Sequence, residues 1–323
     1  MSGSGSLDPI VIQAVPSTGT GSTFIELTLQ EVLNLVRHRL NNFEVPYFWV
    51  DAELVHYCNT VIREFCRETL ILHDASTSSI CELFINEDAL DYALAPQILY
   101  IHGARLVTEE VLILDTAPAT AWVAGDTITG GTSGATCKIV SYYNDYAYIV
   151  TQRTGVFTLN ESLTNGTAAA AQGASYPIFN DYKVTELQKT TRSNMDSTYA
   201  GWRAVRAAYP NRYLLDFVTG YFTMVHQPTE PTVVKLSVSR YPLVEMTTSN
   251  MTEQYPELPA LYQDALINGI CGHAKLKPDE QTYDQKQASD FLGLYKQEMS
   301  RAKIQNVRFL GIEQAVRPHG GFM

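Results

Sequence analysis

Two similar segments in the middle of the chain are the sequence feature that most constrains its fold. The stretch "AGDTITGGTSGATCKIV" (124–140) is echoed by "LNESLTNGTAAAAQ" (159–172). In both, a small residue and an acidic residue precede a Ser/Thr-aliphatic-Thr run, which is followed by glycine and an Ala/Thr run. β-Favouring residues are spaced there between turn-forming Gly and Ser. This degenerate repeat of strand and glycine turn predicts a small β module.

The glycines of the first segment do not form a phosphate-binding loop. That loop requires G-x-x-x-x-G-K-[ST], because backbone N–H groups surround the phosphates and the lysine reaches them. Gly130 and Gly134 are present, but Lys138 is misplaced, Cys137 precedes it, and no helical pattern follows. A flexible linker is also disfavoured by the β-favouring residues. We therefore expect a strand module without a nucleotide.

Pro118 and Pro177 frame the module, and "SYYNDYAYIVTQRTGVF" between its two halves reads as an aromatic strand pair. Exposed loops of a parent fold tolerate such insertions. We predict five regions: a flexible arm (1–26), helices and first strands (27–117), the inserted β module (118–177), a β-meander with C-terminal helices (178–304) and a docking tail (305–323).

Helical periodicity dominates both ends of the chain. Thr28 and Glu31 predict a capping box before "LQEVLNLVRHRL", and Asp51 is expected to cap the second helix. Between these helices, Tyr47, Phe48 and Trp49 are favoured as a core plug, with an exposed interface patch as the alternative.

After the module, the runs "RYLLDFV", "YFTMVH" and "TVVKLSVSRYPL" predict a meander. Two further helices follow, and close helix packing would explain Gly269 and Gly272 in the first of them. Pro278 is expected in the first turn of the second. The predicted fold class is α+β: a helical bundle of about four main helices with an antiparallel β-sheet or meander and an inserted small β domain.

Composition excludes several classes of protein. The formal net charge is −11, whereas a surface that wraps nucleic acid is basic. No run approaches the roughly 18 apolar residues that a membrane helix requires, and the N-terminus lacks the basic and apolar regions of a secretory signal. The five cysteines are an odd number without a C-x-x-C pair. Neither a zinc site nor a disulfide scaffold is therefore indicated.

A search for catalytic patterns finds none in the sequence. There is no G-x-S-x-G nucleophile elbow, and the seven histidines have no H-x-x-x-H spacing. We therefore expect no catalytic residue, no metal and no cofactor, so the protein is not expected to be an enzyme. One charged run, made of Arg63, Glu64, Arg67 and Glu68, is either an intersubunit ionic patch or a solvated helix face with local pairs.

The order of elements resembles a known family. Two helices and strands precede a Trp-bearing linker and "YPNRY", and then come "HQPTEP", "SRYP" and the helical stretch "ELPALYQDALINGICGHAKLKPDEQTYDQKQASDFLGLYKQEMSRAK". This looks like the head-to-tail connector (adaptor) proteins of tailed bacteriophages, over about 27–304 apart from the insertion. The insertion resembles small β modules that recur in phage structural proteins.

The resemblance implies a virion structural protein at the head-tail junction, made in the host cytoplasm. Its partners would be copies of itself in a dodecameric ring, the portal protein above, a downstream tail or nozzle protein below, and genomic DNA that passes through the lumen without sequence-specific binding. No membrane is involved. The portal-docking residues would lie in the C-terminal tail: Arg308, Phe309, Leu310, Arg317 and Phe322. The alternative is a tail or baseplate component whose β module binds a glycan through Tyr142, Tyr143, Tyr146 and Tyr148.

Overall fold

The computed structural model describes residues 26–118, 120–144, 146–166, 171–172, 179–199, 201–279 and 282–309. In these ranges the α-helices are α1 (Leu29–Leu40), α2 (Asp51–Thr69), α3 (Ser78–Cys81), α4 (Arg192–Thr198), α5 (Gln263–Lys275) and α6 (Gln285–Phe309). Short 3-10 turns lie at Trp202–Ala204 and Ala260–Tyr262. None of the helices in these ranges is long and apolar enough to cross a membrane.

The strands of the described ranges fall into three sheets. They are β1 (His73–Asp74), β2 (Glu82–Ile85), β3 (Asp91–Ala93), β4 (Ile98–Ile113), β5 (Thr127–Gly130), β6 (Thr136–Asn144), β7 (Ala147–Thr151), β8 (Ser162–Thr164), β9 (Ala171–Gln172), β10 (Phe179–Glu186), β11 (Gln188–Lys189), β12 (Arg206–Ala207), β13 (Arg212–Leu214), β14 (Tyr221–Val225), β15 (Gln227–Pro228) and β16 (Thr232–Arg240).

The largest sheet is curled and antiparallel. Its order is β1-β16-β4-β7-β6-β5-β8-β9, with β2 beside β16 and β10 beside β4. A second sheet has the order β11-β13-β14-β3, and β12 pairs with β15 alone. The large sheet therefore runs from the centre of the molecule into the 118–177 segment.

Strand β4 links the two halves of the large sheet. Its first part pairs with β16, where Val107 lies opposite Val233. Its last part pairs with β7 on the same edge, where Glu110 lies opposite Val150. Strand β10 covers the other edge. Beyond this junction the 118–177 segment has its own buried cluster, which includes Trp122, Ile128, Tyr148, Phe157 and Leu163. Leu112 near the end of β4 and Leu114 just after it also belong to this cluster.

The two similar segments pair with each other. In β5 and β8, Thr129 lies opposite Thr164. Asp126 and Glu161 hold equivalent positions, because each carboxylate accepts a hydrogen bond from the backbone N–H three residues earlier, at 3.1 Å and 2.7 Å respectively. The predicted repeat of strand and turn is therefore confirmed for these strands.

Helices α1, α2, α5 and α6 enclose the largest apolar cluster, which includes Leu33, Phe65, Leu266 and Tyr295. Helix α1 begins with the predicted capping box. Helix α2 differs from the prediction, since Val50 is its N-cap and Asp51 its first residue.

The two glycines of α5 lie where neighbouring helices come closest. A Cβ on Gly269 would lie 2.6 Å from Val61 Cγ1, and one on Gly272 would lie 2.7 Å from Leu292 Cγ. The close packing expected from the sequence is confirmed.

The predicted fold class, a helical bundle with a sheet and a small inserted domain, is wrong. Helices make up 32% and strands 29% of the structure, and the curled antiparallel sheet is its main feature. The runs "QILYIHGARLV" (97–107) and "EEVLIL" (109–114) read as two short strands, but one strand, β4, runs through both. Glu110 is only 3% exposed there, and its charge is balanced by residues distant in sequence.

Two smaller expectations also fail. Strands β13 and β14 pair as predicted, but β16 leaves this meander and joins the large sheet between β1 and β4. The last helix begins at Gln285 rather than at Pro278, and it continues to Phe309 into the predicted tail.

Candidate interaction site

The loop between α1 and α2 presents large apolar side chains to solvent. We call residues 43–50 the apolar loop. Its exposed members are Phe43 (60%), Val45 (79%), Tyr47 (39%), Phe48 (53%) and Val50 (56%). Full burial of one such side chain is worth roughly 1.5–3 kcal/mol. An exposed apolar cluster of this kind is typical of an interaction surface.

Arg37 at the end of α1 fixes the shape of the apolar loop. The guanidinium is 7% exposed and donates from Nη1 to the Trp49 carbonyl at 3.0 Å. It also forms an ion pair with Asp51, and its Cζ lies 3.9 Å from the centroid of the Tyr47 ring. Asn42 accepts a hydrogen bond from the Phe48 N–H at 3.1 Å. The exposed side chains are therefore held on an ordered backbone.

Two further contacts tie the loop to α5 and the residues after it. Trp49 is 2% exposed, and its indole Nε1–H donates to the Ala274 carbonyl at 3.0 Å. Lys277 donates from Nζ to the Phe48 carbonyl at 3.3 Å and to Glu53 at 3.0 Å. A surface fixed in this way loses little conformational entropy on binding.

The sequence predicts only in part which of these aromatic side chains are buried and which are exposed. Trp49 is the expected core plug, whereas Tyr47 and Phe48 match the alternative of an exposed patch. Sequence reasoning missed Phe43 and Val45. The overlooked signal is the length of the connection between α1 and α2, because a ten-residue connection held at both ends cannot bury all of its apolar side chains.

The expected intersubunit residues lie along α2 and have partners within the chain. Arg63 pairs with Glu245 at 3.1 Å, Arg67 with Glu68 at 3.5 Å, and Glu64 lies 3.9 Å from His273. None of these pairs tests a contact with another subunit, and the intersubunit role of the four residues stays a prediction.

The expected portal-docking residues fall at the end of the described chain. Arg308 is exposed in the last turn of α6, and Phe309 is the last residue of that helix. Leu310, Arg317 and Phe322 lie outside the described residues. Arg308 and Phe309 thus belong to α6, although the sequence predicts that they lie in a separate tail.

A buried ionic network, which sequence reasoning missed, joins the 118–177 segment to the centre of the large sheet. Arg153 contacts Glu110 from Nε at 2.7 Å and Glu82 from Nη1 at 3.1 Å. Lys235 approaches the same two carboxylates at 3.3 Å and 3.5 Å and also pairs with Asp181. These partners come from five separate strands or loops, so spacing in the sequence carries no signal for them.

Electrostatics keeps both cations of this network charged. Burial lowers the pKa of Arg153, but Glu110 and Glu82 outweigh this effect and the pKa is raised. Burial likewise lowers the pKa of Lys235, while Glu110, Asp181 and Glu82 raise it above its ordinary value. An adjacent cleft of about 460 Å³ is lined by Arg153, Lys235, Glu82, Ser76, Phe157 and Phe179, among others. Because the charges there satisfy one another, the network fits a structural junction better than a ligand site.

One serine lies beside two histidines. The Ser239 hydroxyl is 2.7 Å from His102 Nε2 and 3.3 Å from His73 Nδ1, and it donates to the Leu70 carbonyl at 2.8 Å. Ser239 is fully buried, and burial lowers the pKa of His102, as does the neighbouring His73. A nucleophile needs access to its substrate, so this cluster reads as a satisfied polar contact that holds β1 and β4 against β16.

The tyrosines of the module divide between surface and core. Tyr142, Tyr143 and Tyr146 are each about half exposed near the tip of the β6–β7 hairpin, whereas Tyr148 is 1% exposed beneath Trp122. Three of the four tyrosines expected in the alternative function are therefore about half exposed at one hairpin, where the Tyr142 ring also contacts Tyr148.

Comparison of the chain with protein-family models and with curated proteins finds no match in either.

Proposed function

We propose that this protein is a virion structural component, a head-to-tail adaptor that forms a ring below the portal, extends the DNA channel and offers a docking platform to tail components. The observation that carries the proposal is the apolar loop, an exposed hydrophobic surface between α1 and α2 whose backbone is fixed by Arg37 and Asn42. Such a surface suits a protein that works within an assembly. The proposal rests on this loop and on the order of elements, and not on the helical-bundle fold class.

The charge of the chain supports the channel part of the proposal. The chain has 34 acidic and 23 basic residues, a net charge of −11, so its surface has no overall excess of cations to neutralise phosphates and release counterions when DNA passes. DNA would then slide through the lumen without being held. A basic surface would instead bind DNA and oppose its movement.

The test is assembly with the partner. We would purify the chain, mix it with the portal protein encoded by the same genome, and examine the mixture by analytical sedimentation and negative-stain microscopy. A ring stacked on the portal is expected. If the chain neither forms a ring nor sediments with the portal, the proposal is wrong.

A second candidate function has one observation in its favour. The three exposed tyrosines near the β6–β7 hairpin tip could stack on sugar rings, as in a tail or baseplate component that binds a host glycan. A glycan array with wild-type protein and a Tyr142→Ala/Tyr143→Ala/Tyr146→Ala variant tests it. Binding that this variant loses, in a protein that forms no ring, would favour the second function.

A further inference from the structure

A groove of about 540 Å³ lies between α5 and α6. Its apolar lining comes from the turn before α5 and from both helices: Leu261, Ala265, Phe291 and Leu294. Leu261 is 56% exposed and Leu294 is 50% exposed. We call this feature the α5–α6 groove. Within the described part of the chain, its apolar surface is left uncovered.

The polar residues of the groove are paired within the chain. Arg39 forms an ion pair with Asp264 at 3.0 Å and also donates to the side-chain carbonyl of Asn268. Glu298, the remaining polar residue of the lining, pairs with Arg301 of its own helix. The groove therefore has no unpaired charge that would select a charged occupant, and its exposed leucines favour an apolar one.

The chain enters the described structure beside this groove. The Leu27 N–H donates to Oε1 of Gln263 at 3.3 Å. Gln263 lies between two lining residues, since Leu261 is two positions before it and Asp264 is directly after it. Three residues of extended chain span roughly 10 Å. The residues just before Leu27 can therefore reach the groove.

Gln263 also has a buried donor that lacks a partner. Its side chain is 5% exposed, and Nε2 has no hydrogen-bond partner among the described residues. Buried amide donors are normally paired, because an unpaired one has lost its water without gaining another acceptor. A backbone carbonyl from the residues that precede Leu27 would supply that acceptor. The unpaired donor and the entry of the chain thus point to the same occupant.

The residues that precede Leu27 have the composition that the groove favours. The segment "IVIQAVPSTGTGSTFI" (10–25) contains no charged side chain, and it ends with Phe24 and Ile25. These two apolar side chains are the nearest large ones before Leu27. They are therefore placed to cover the exposed leucines of the groove.

The residues that follow α6 are a less suitable occupant. They include Glu313 and Arg317, whose charges would find no unpaired partner in the groove. Helix α6 also carries the chain away from the groove, because Phe309 lies roughly 16 Å along the helix from Glu298. The N-terminal segment is thus favoured by both charge and distance.

We infer that the segment before Glu26 folds back onto its own chain and covers the α5–α6 groove, with Phe24 and Ile25 as the apolar anchors. The short connection to Leu27 favours the chain's own segment over that of another copy, because tethering raises its effective concentration at the groove. This docking concerns a single chain, so it does not depend on the proposed ring or on the portal.

Thiol labelling tests whether the groove is covered. Leu294→Cys places a thiol in the groove, and the five native cysteines are buried. Ile304→Cys is the matched control, because Ile304 lies on the same helix, is 56% exposed and does not line the groove. With a maleimide, Leu294→Cys should react at least about tenfold more slowly than Ile304→Cys, the factor expected when burial of an aromatic anchor keeps the groove closed. Equal rates would overturn the inference.

A change of the anchors identifies the segment that covers the groove. Adding Phe24→Ser/Ile25→Ser to Leu294→Cys should restore fast labelling, whereas adding Thr20→Ala/Ser22→Ala should leave it slow. The rate at Ile304→Cys should be the same in both backgrounds, which shows that the fold is intact. Slow labelling that persists without the two anchors would mean that something else covers the groove, and the inference would be wrong.

Cross-linking distinguishes the chain's own segment from that of a second copy. The double variant Thr23→Cys/Leu294→Cys keeps both anchors. A short bis-maleimide should join its introduced thiols in a product of monomer mass, and mass spectrometry should identify the linked peptides. The control Thr23→Cys/Ile304→Cys should give no such product. Linked dimers would show that a second copy supplies the segment, and either that result or the absence of any link would overturn docking within one chain.

Discussion

Arg153 and Glu110 form a bidentate ion pair in the interior of the large sheet. The guanidinium donates from Nε to Oε2 at 2.7 Å and from Nη2 to Oε1 at 3.1 Å. Both side chains are about 95% buried. Arg153 follows β7, whereas Glu110 lies within β4, so the pair fastens the 118–177 segment to the strand that runs into the rest of the molecule.

Removal of the arginine should therefore destabilise the whole protein. Arg153→Ala leaves the Glu110 carboxylate buried without its bidentate partner, which costs about 3–5 kcal/mol in comparable buried pairs. Arg192→Ala is the matched control, because Arg192 forms an exposed pair with Asp196 that is worth less than about 1 kcal/mol. Chemical denaturation measures the free energy of unfolding of both variants. Equal free energies of unfolding for the two variants would contradict the role given to Arg153.

This pair also shows why the fold class could not be predicted. Glu110 follows Thr108 and Glu109, and a polar triplet within an apolar run normally marks a strand end. Its charge partners are separated from it by 43 residues (Arg153) and 125 residues (Lys235), so no local pattern shows that the strand continues. Tertiary contacts decided the length of β4 and, with it, the extent of the sheet.

Local features, by contrast, could be predicted. The Thr28–Glu31 capping box, the β13–β14 pairing and the glycine contacts of α5 depend on neighbouring residues or on one face of a helix. The candidate site could be predicted from the sequence only in part. The aromatic run of the apolar loop was visible, but which of its rings is buried depends on α5, more than 200 residues away.

The glycines of α5 offer a second test. Gly269→Ala places a Cβ within 2.6 Å of Val61, and the resulting overpacking should cost about 1–3 kcal/mol. Gly293→Ala in α6 is the control, since a Cβ added there would have no neighbouring atom within 4 Å and alanine should stabilise the helix by roughly 0.5–1 kcal/mol. Thermal melts should thus shift in opposite directions. A shift of both melts in the same direction would argue against the tight packing of α5.

The hydrogen bonds around Asp74 predict that the folded protein loses stability in acid. Burial raises the pKa of Asp74, but hydrogen bonds from Thr77, Ser76 and Arg240 outweigh it and hold the pKa well below the ordinary value of 3.8. The folded state then binds the proton less readily than the unfolded state. The stabilisation is fully present above the unfolded pKa and declines as the pH falls below about 4.

Asp74→Asn removes this titration. We expect its free energy of unfolding to be lower than that of the wild type at neutral pH and to change less between about pH 5 and pH 2. Urea titrations across this pH range measure the difference. An Asp74→Asn variant with the wild-type slope would show that other groups cause the acid sensitivity.

The cysteines should be unreactive in the folded protein. All five are buried and free of disulfides. Burial raises the pKa of each thiol to about 12, so the reactive thiolate is scarce at pH 8. A thiol reagent should label all five cysteines quickly in denaturant and none quickly without it. Fast labelling of any native cysteine would contradict the described burial.

A truncation that tests whether the C-terminal tail docks onto the portal must keep every residue that the fold requires. Asn306 is 5% exposed, and its side-chain amide donates to the carbonyls of Thr69 at 2.8 Å and Leu70 at 3.0 Å. Its Oδ1 also lies 2.6 Å from His73 Nε2. A truncation that removes Asn306 would therefore disturb the fold as well as the tail. Asn306→Ala alone should cost about 1–3 kcal/mol, because it leaves buried polar groups unsatisfied.

A chain that ends at Phe309 separates docking from folding. It keeps Asn306 and the whole of α6 but lacks residues 310–323, which include the proposed docking residues Leu310, Arg317 and Phe322. We expect its thermal melt to match that of the full chain, while co-sedimentation with the portal is lost because the aromatic anchor and one of the arginines are absent. Phe322→Ala in the full chain should weaken portal binding by roughly 1–4 kcal/mol if that ring is a hot spot. Arg301→Ala is the control, since Arg301 is an exposed arginine of α6 already paired with Glu298 within its own helix. If the truncated chain binds the portal as well as the full chain does, the tail is not the docking element and the portal must contact the folded body.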